Sequence, residues 1–248
     1  MIHTFHSMGT VVSIRLADPP AGAAPALAGV ENAFREADAT FSRFRPDSPF
    51  TPHRPDGVID LSGIVKALAI KRGATALRTA GFENWCINAG GDVLTSGNRG
   101  RWPASPPLPR WTVGIVDPDD RDFLLTSIEM APARPAIATS GSLERGDHIW
   151  HSAEHRSPEF IQVSVGAADI VTADVLATAI VSGGSATLHD VSERWSVDVL
   201  TIDRDGRIAM SPGFAEGMRG AAASSARAVA RSSRALPRQL DRMTRGYE

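Results

Sequence analysis

With a single cysteine, Cys86, the 248-residue chain cannot close an internal disulfide. That points to a reducing compartment and to an inert thiol buried in the apolar run "WCIN". A basic excess is also missing: the formal net charge is -2 at pH 7 and the pI is about 6.4. This argues against nucleic acid and acidic membranes as partners, which usually select a basic surplus. No segment approaches the roughly 20 apolar residues of a membrane span. The N-terminal "MIHTFHSMGTVVSIRL" has no basic start followed by a long apolar stretch, so no secretory signal is read there. A cytoplasmic protein without membrane insertion is the expectation. No internal repeat is present. What the chain does have is 42% hydrophobic residues, enough for a real core in one large domain or two small ones.

Along the chain, "GTVVSIRLAD" has the β-branched content of a strand. In "ALAGVENAFREADATFSRF", Leu27, Val30, Phe34 and Ala37 recur at helical spacing between charges. Four prolines make "RPDSPFTPHRPDG" irregular. A short strand, a turn and a helix closed by Gly81 follow in "GVIDLSGIVKALAIKRGATALRTAGF". "ENWCINAGGDVLTSGN" reads as strand, glycine turn, strand, and further strands are expected in "WTVGIVDP", "FLLTSIEM", "PAIATSG" and "FIQVSVGA". "TADVLATAIVSGG" reads as a buried helix running into a glycine stop, and "VDVLTIDRDGRIAMSPGF" as a hairpin turning at Asp205-Gly206. The division expected is a domain over 1–214 and an Ala/Arg/Ser-rich tail over 215–248, solvated and disordered or loosely helical.

Four stretches combine small residues with isolated polar ones in the manner of a ligand site: "DLSGIVK" (60–66), "NAGGD" (88–92), "ATSGSLERGDHI" (138–149) and "ADVLAT" (173–178). Glycine pairs let a backbone approach a ligand closely, and exposed amides beside a helix start hold phosphate oxygens. Asp174 and Thr178, four apart, share one helical face. Each stretch also has a plainer reading. "AGGD" suits a tight turn, Lys66 a solvated helix charge, and Asp174 a helix cap.

In combination and order, "SMGTVVSIRL", "FSRFRPDS", "IDLSGIVKALAI", "INAGGDVLTSG", "AIATSGSLERG" with "HI", and "VSVGAADIVTADVLATAIVSGG" resemble the ApbE-type flavin transferases, which move FMN from FAD onto a protein. The resemblance covers most of residues 7–184. It implies an α+β fold with mixed or antiparallel sheet and flanking helices, a T-fold-like single compact domain. It also implies Mg²⁺, or Mn²⁺, held by Asp174, Thr178 and the main-chain carbonyl of Gly63, bridging the FAD pyrophosphate. Hard oxygen ligands with substrate phosphates completing the octahedron suit that ion. Lys66 would add positive charge near the phosphates. The Gly90-Gly91-Asp92 and Thr139-Ser140-Gly141 turns would contact FAD, and Met8 would pack on flavin or adenine. His148 would bind phosphate or relay a proton. The acceptor is a threonine or serine hydroxyl of a separate flavoprotein, with AMP leaving; His148 or Asp174 would serve as base, and the sequence does not choose between them.

The chain departs from the family pattern at three places. Only the link Pro46–Val58 stands where relatives carry a helical insertion with flavin contacts. Ala67 and Lys71 replace a glycine and an aspartate after the lysine, and His151-Ser152 replace an Asp-Pro pair. Other readings compete with transfer. Water in place of the acceptor would make an FAD pyrophosphatase, and lost turnover would leave a non-catalytic FAD-binding protein. A zinc hydrolase on His148, His151 and His155 is weakened by the loop-like composition around them. Ser62 and Lys66 miss the S-x-x-K spacing of serine acyl chemistry.

Overall fold

The structure is a computed structural model, and it describes residues 1–17, 22–42, 48, 61–100, 109–141 and 158–221. Eight strands form one sheet in the order β1-β2-β3-β4-β7-β8-β9-β10, every neighbouring pair antiparallel. They are β1 (Ile2–Ser7), β2 (Thr10–Leu16), β3 (Trp85–Ala89), β4 (Asp92–Ser96), β7 (Ala136–Gly141), β8 (Phe160–Ala167), β9 (Asp198–Asp203) and β10 (Ile208–Met210). A separate hairpin joins β5 (Thr112–Val116) to β6 (Leu124–Glu129). The α+β class and the antiparallel sheet agree with the sequence-based expectation. Of the expected elements, the short strand before "DLSG" lies outside the described residues.

Each central strand buries both faces by simple alternation. Trp85, Ile87 and Ala89 of β3 point to a core shared with helices α1 (Ala24–Phe41), α2 (Ser62–Thr79) and α3 (Ile170–Arg194). The intervening Cys86 packs toward a second core, built from Val93, Trp111, Ile115, Ile128, Ile137, Leu200 and Phe214. Burial pushes the Cys86 thiol up to about 12, with Arg15 opposing slightly, so it stays protonated and inert as expected. On α1 the predicted stripe Leu27, Val30, Phe34 and Ala37 is the buried one. At the end of α2, Phe82 N–H donates to Leu77 O and Gly81 N–H to Arg78 O, both at 3.0 Å. This is the paired closure that a glycine just past a helix allows.

Two boundaries differ from the sequence reading. α3 does not stop at its glycines; the chain kinks at Gly184 (φ 64°) and resumes helix to Arg194. Glu159, at the foot of β8, makes this possible by accepting the Ser185 N–H at 2.8 Å. A Cβ on Gly184 would lie 2.6 Å from that carboxylate, so the kink needs glycine twice over. α3 also has the length and apolar composition of a membrane span, contrary to expectation. Its Ile170, Ala173, Leu176, Ala177, Ile180 and Val181 are instead buried in the helix-side core.

The second difference lies at the C-terminal end, where a helix α4 over 212–221 crosses the expected boundary at 214. Ser211 caps it, its hydroxyl accepting the Phe214 N–H at 3.3 Å, and Phe214 and Ala221 are fully buried. The packed domain therefore continues through Ala221. Phe214→Ala empties a filled site, and by the usual cost of such truncations it is expected to lose about 3–5 kcal/mol. Urea denaturation would show this as a lower midpoint with an unchanged slope.

Candidate functional site

One end of the sheet gathers the predicted residues, and hairpin geometry explains why. β1 and β2 are joined by Met8-Gly9 (φ 51° and 70°), β3 and β4 by Gly90-Gly91 (φ 57° and 93°). Both are two-residue turns with positive φ at each central position, the form that matches strand twist. The turns stack: a Cβ on Gly90 would meet Thr10 Oγ1 at 2.6 Å. Asn88 Oδ1 holds the Gly91 amide at 3.0 Å, a role in "NAGGD" that residue type alone does not announce. Met8 is the only non-glycine among the described residues with positive φ, a conformation that costs a side chain with Cβ about 1–2 kcal/mol.

Beside these turns lies a buried ion pair. Lys66, from the second turn of α2, reaches Asp92 at the start of β4, Nζ to Oδ2 2.8 Å, with side chains only 10% and 1% exposed. Lys66 is therefore not the solvated helix charge of the plainer reading. The other Asp92 oxygen accepts the Thr139 N–H at 3.3 Å, tying β4 to β7. Residues 139–141 are the end of strand β7 rather than a turn, so their side chains alternate. Ser140 faces α3, its Oγ 3.1 Å from Thr178 Oγ1. Thr139 faces the other way and bonds Ser164 Oγ at 2.8 Å. The turn expected at Thr139-Ser140-Gly141 is therefore strand, and the Thr139 hydroxyl bonds across to β8. Ser164 carried no sequence signal, because its role depends on being opposite Thr139 across the sheet.

Asp174 is 5% exposed, one helical turn before Thr178. It is not the helix cap. That position belongs to Asp169, whose carboxylate accepts the Val171 and Thr172 amides at 3.1 and 3.3 Å. Lys71 pairs with the same carboxylate at 2.7 Å, giving the charge that replaces the family's aspartate a place in the fold. Burial alone would raise the Asp169 pKa, but the Lys71 hydrogen bond, the two amides and the Lys71 charge outweigh it and hold it below the ordinary 3.8. The capped form is thus favoured throughout the neutral range, and its contribution fades only as pH falls below that of a free aspartate. The topology runs α2 away from the site end and α3 back toward it. Starting from Lys71 and Asp169, five residues toward the site along each helix is about 7.5 Å. Lys66 and Asp174 consequently stand at one level.

The side chains here offer hard oxygens, the Asp174 and Asp92 carboxylates and the Ser140 and Thr178 hydroxyls, with the Lys66 ammonium paired to Asp92. Such a set fits Mg²⁺ or Mn²⁺, which take few protein ligands when phosphates supply the rest. Among the described residues no group of three or more His, Cys, Asp or Glu could hold a metal. Gly63 lies in the first turn of α2. A helical carbonyl there points along the axis to the amide four residues on, so it would share its oxygen between amide and metal. His148, His151, Ser152 and His155 lie outside the described residues.

Comparisons with known proteins bear on the family and the fold. The profile of the ApbE family matches residues 50–201. A curated relative, the FAD:protein FMN transferase of Rhodobacter capsulatus, is 28% identical over 164 residues, covering 62% of this chain and 30% of the relative. The matched region thus spans less than a third of that relative's length. Among solved structures, the flavin transferase ApbE from Vibrio cholerae superposes with a TM-score of 0.70 at 20% identity, covering 88% of this chain and 98% of that one. The ApbE protein from Thermotoga maritima gives 0.71 at 17% identity, covering 88% and 99%.

Proposed function

The chain belongs to the ApbE family, and from that premise we propose that it transfers the FMN moiety of FAD to a threonine or serine hydroxyl of an acceptor protein, releasing AMP. One observation carries the reading. The buried Asp174 lies one helical turn before Thr178 on α3, and the Thr178 hydroxyl meets Ser140 of β7 at the sheet end where Lys66 and Asp92 form their buried pair. A protein that only bound FAD would have no need of an oxygen-donor helix face beside a sequestered ammonium.

In the reaction the acceptor oxygen bonds to the FMN phosphorus, the bond from that phosphorus to the bridging oxygen breaks, and AMP carries the bridging oxygen away. Asp174 and Thr178, with the Gly63 carbonyl, would hold a divalent ion that withdraws charge from the pyrophosphate when bound. Lys66 adds positive charge on the same side, and its pairing with Asp92 holds the ammonium in place before substrate arrives. The Gly90-Gly91 turn presents backbone without bulk, so the nucleotide would approach the sheet end closely there, with the Met8 side chain beside it. The acceptor proton passes to a base; Asp174 is within the described site and His148 is the other candidate.

Incubating the protein with FAD, Mg²⁺ and a candidate acceptor domain, and following acceptor mass and AMP together, tests the reading. Equal gain of FMN and AMP supports transfer. AMP alone, with water as acceptor, would replace it with a pyrophosphatase, and neither product would leave an FAD-binding protein. The strained Met8 gives a second test. Met8→Asn, which tolerates positive φ, is expected to raise stability by roughly 0.5–1 kcal/mol while weakening FAD binding. A variant that gains stability and keeps full affinity would remove Met8 from the nucleotide site.

A further inference from the structure

The helix-facing side of β7 is built from small residues. Ala136 and Ala138 lie in the helix-side core, and alternation puts Ser140 on the same face. α3 packs against this strand, and its buried face includes Ala173 and Ala177. Small side chains let strand and helix come close enough for a short serine to reach across, and Ser140 Oγ stands 3.1 Å from Thr178 Oγ1.

That contact departs from what hydroxyls do elsewhere in the helices of this chain. Thr40 donates to Glu36 O at 2.8 Å, Thr75 to Lys71 O at 3.1 Å and Ser192 to Leu188 O at 2.7 Å. Each gives its proton to the carbonyl four residues earlier, as serine and threonine inside helices commonly do. For Thr178 the carbonyl in that position belongs to Asp174. The Thr178 hydroxyl is engaged with β7 instead.

The difference matters for an oxygen that is to hold a cation. A hydroxyl has one proton and two lone pairs. When a lone pair goes to a metal, the proton must turn away from the metal toward an acceptor. Threonine in a helix divides between two rotamers because its own backbone competes for the hydroxyl. Ser140 supplies a rival acceptor, and so decides which way Oγ1 and its lone pairs point.

We propose that Ser140 is a positioning residue for Thr178: its Oγ accepts the Thr178 proton and turns the Thr178 lone pairs toward the divalent ion shared with Asp174. Groups that orient a metal ligand in this way change metal affinity by about 10–100-fold when removed. The inference rests on the flavin-transfer reading for the presence of that ion at Asp174 and Thr178. It gives Ser140 a task other than a direct contact with FAD.

The test measures Mn²⁺ binding to the full chain by the enhancement of water proton relaxation. ADP supplies a diphosphate with no flavin to transfer, and Asp174→Ala serves as the blank. Ser140→Ala is expected to weaken Mn²⁺ binding about tenfold or more. Ser140→Thr, which keeps the hydroxyl and suits a strand, should restore it. Thr178→Val should weaken binding as well, and Ser140→Ala/Thr178→Val should be no worse than Thr178→Val alone, since no hydroxyl is left to orient. Additive losses would make Ser140 a direct contact of the ion or the nucleotide and overturn the positioning role. Unchanged binding in Ser140→Ala, or no recovery in Ser140→Thr, would overturn it too, and all three results leave the flavin-transfer reading standing. Equal binding in Thr178→Val, Asp174→Ala and the parent chain would instead strike the metal site which that reading needs, and this inference with it.

Discussion

Asp174→Ala is expected to lower FMN transfer by about a thousandfold or more, roughly 4 kcal/mol of barrier, while FAD affinity changes far less. The carboxylate is 5% exposed near the start of α3, one helical turn before Thr178. Burying a charge costs free energy unless something compensates it. Charge withdrawal from a transferring phosphoryl group is worth several kcal/mol, and the alanine would lose it with the metal. The FAD contacts at the turns around Met8 and Gly90 would remain. AMP release at saturating Mg²⁺, set beside FAD binding by fluorescence, separates the two effects. Undiminished turnover would remove Asp174 from the metal site.

Lys66→Met should damage stability and activity together, and a second substitution should separate them. Removing the ammonium strips the cation from a carboxylate that is 1% exposed, a loss that typically costs about 3–5 kcal/mol. Replacing both partners, as Lys66→Met/Asp92→Leu, removes the buried charge as well, and such replacements are often neutral or stabilising. The expected pattern is a melting temperature that falls in the single variant and largely recovers in the double, with transfer absent from both. Recovery of transfer along with stability would show that Lys66 serves only the fold.

Much of this was legible without coordinates, for identifiable reasons. Strand alternation in "WCINA" and helical spacing in α1 are local consequences of burial on one or two faces, so they survive in a linear reading. The glycine turn of "NAGGD" follows from the backbone conformation a two-residue hairpin demands. The continuation of α3 past Gly184 was not legible, because the acceptor that rescues its second half is Glu159, some twenty-five residues earlier. α4 was hidden for a similar reason. Its small residues look unfit for a core until Gly217 is placed against Ile128, where a Cβ would come within 2.6 Å.

By itself, the sequence determined the chemistry available at the site: an acid and a hydroxyl one helical turn apart, a lysine near a helix start, and glycine pairs between strands. Residue type and short-range spacing carry that information. Only the tertiary structure decided how those groups are used. It paired Lys66 with Asp92 across 26 positions, turned Ser140 toward Thr178 and Thr139 toward Ser164, and gave the cap of α3 to Asp169 rather than Asp174. Each of these depends on sheet register and helix level, which are set by packing between segments distant in the chain. A linear pattern contains the partners but not the distances between them.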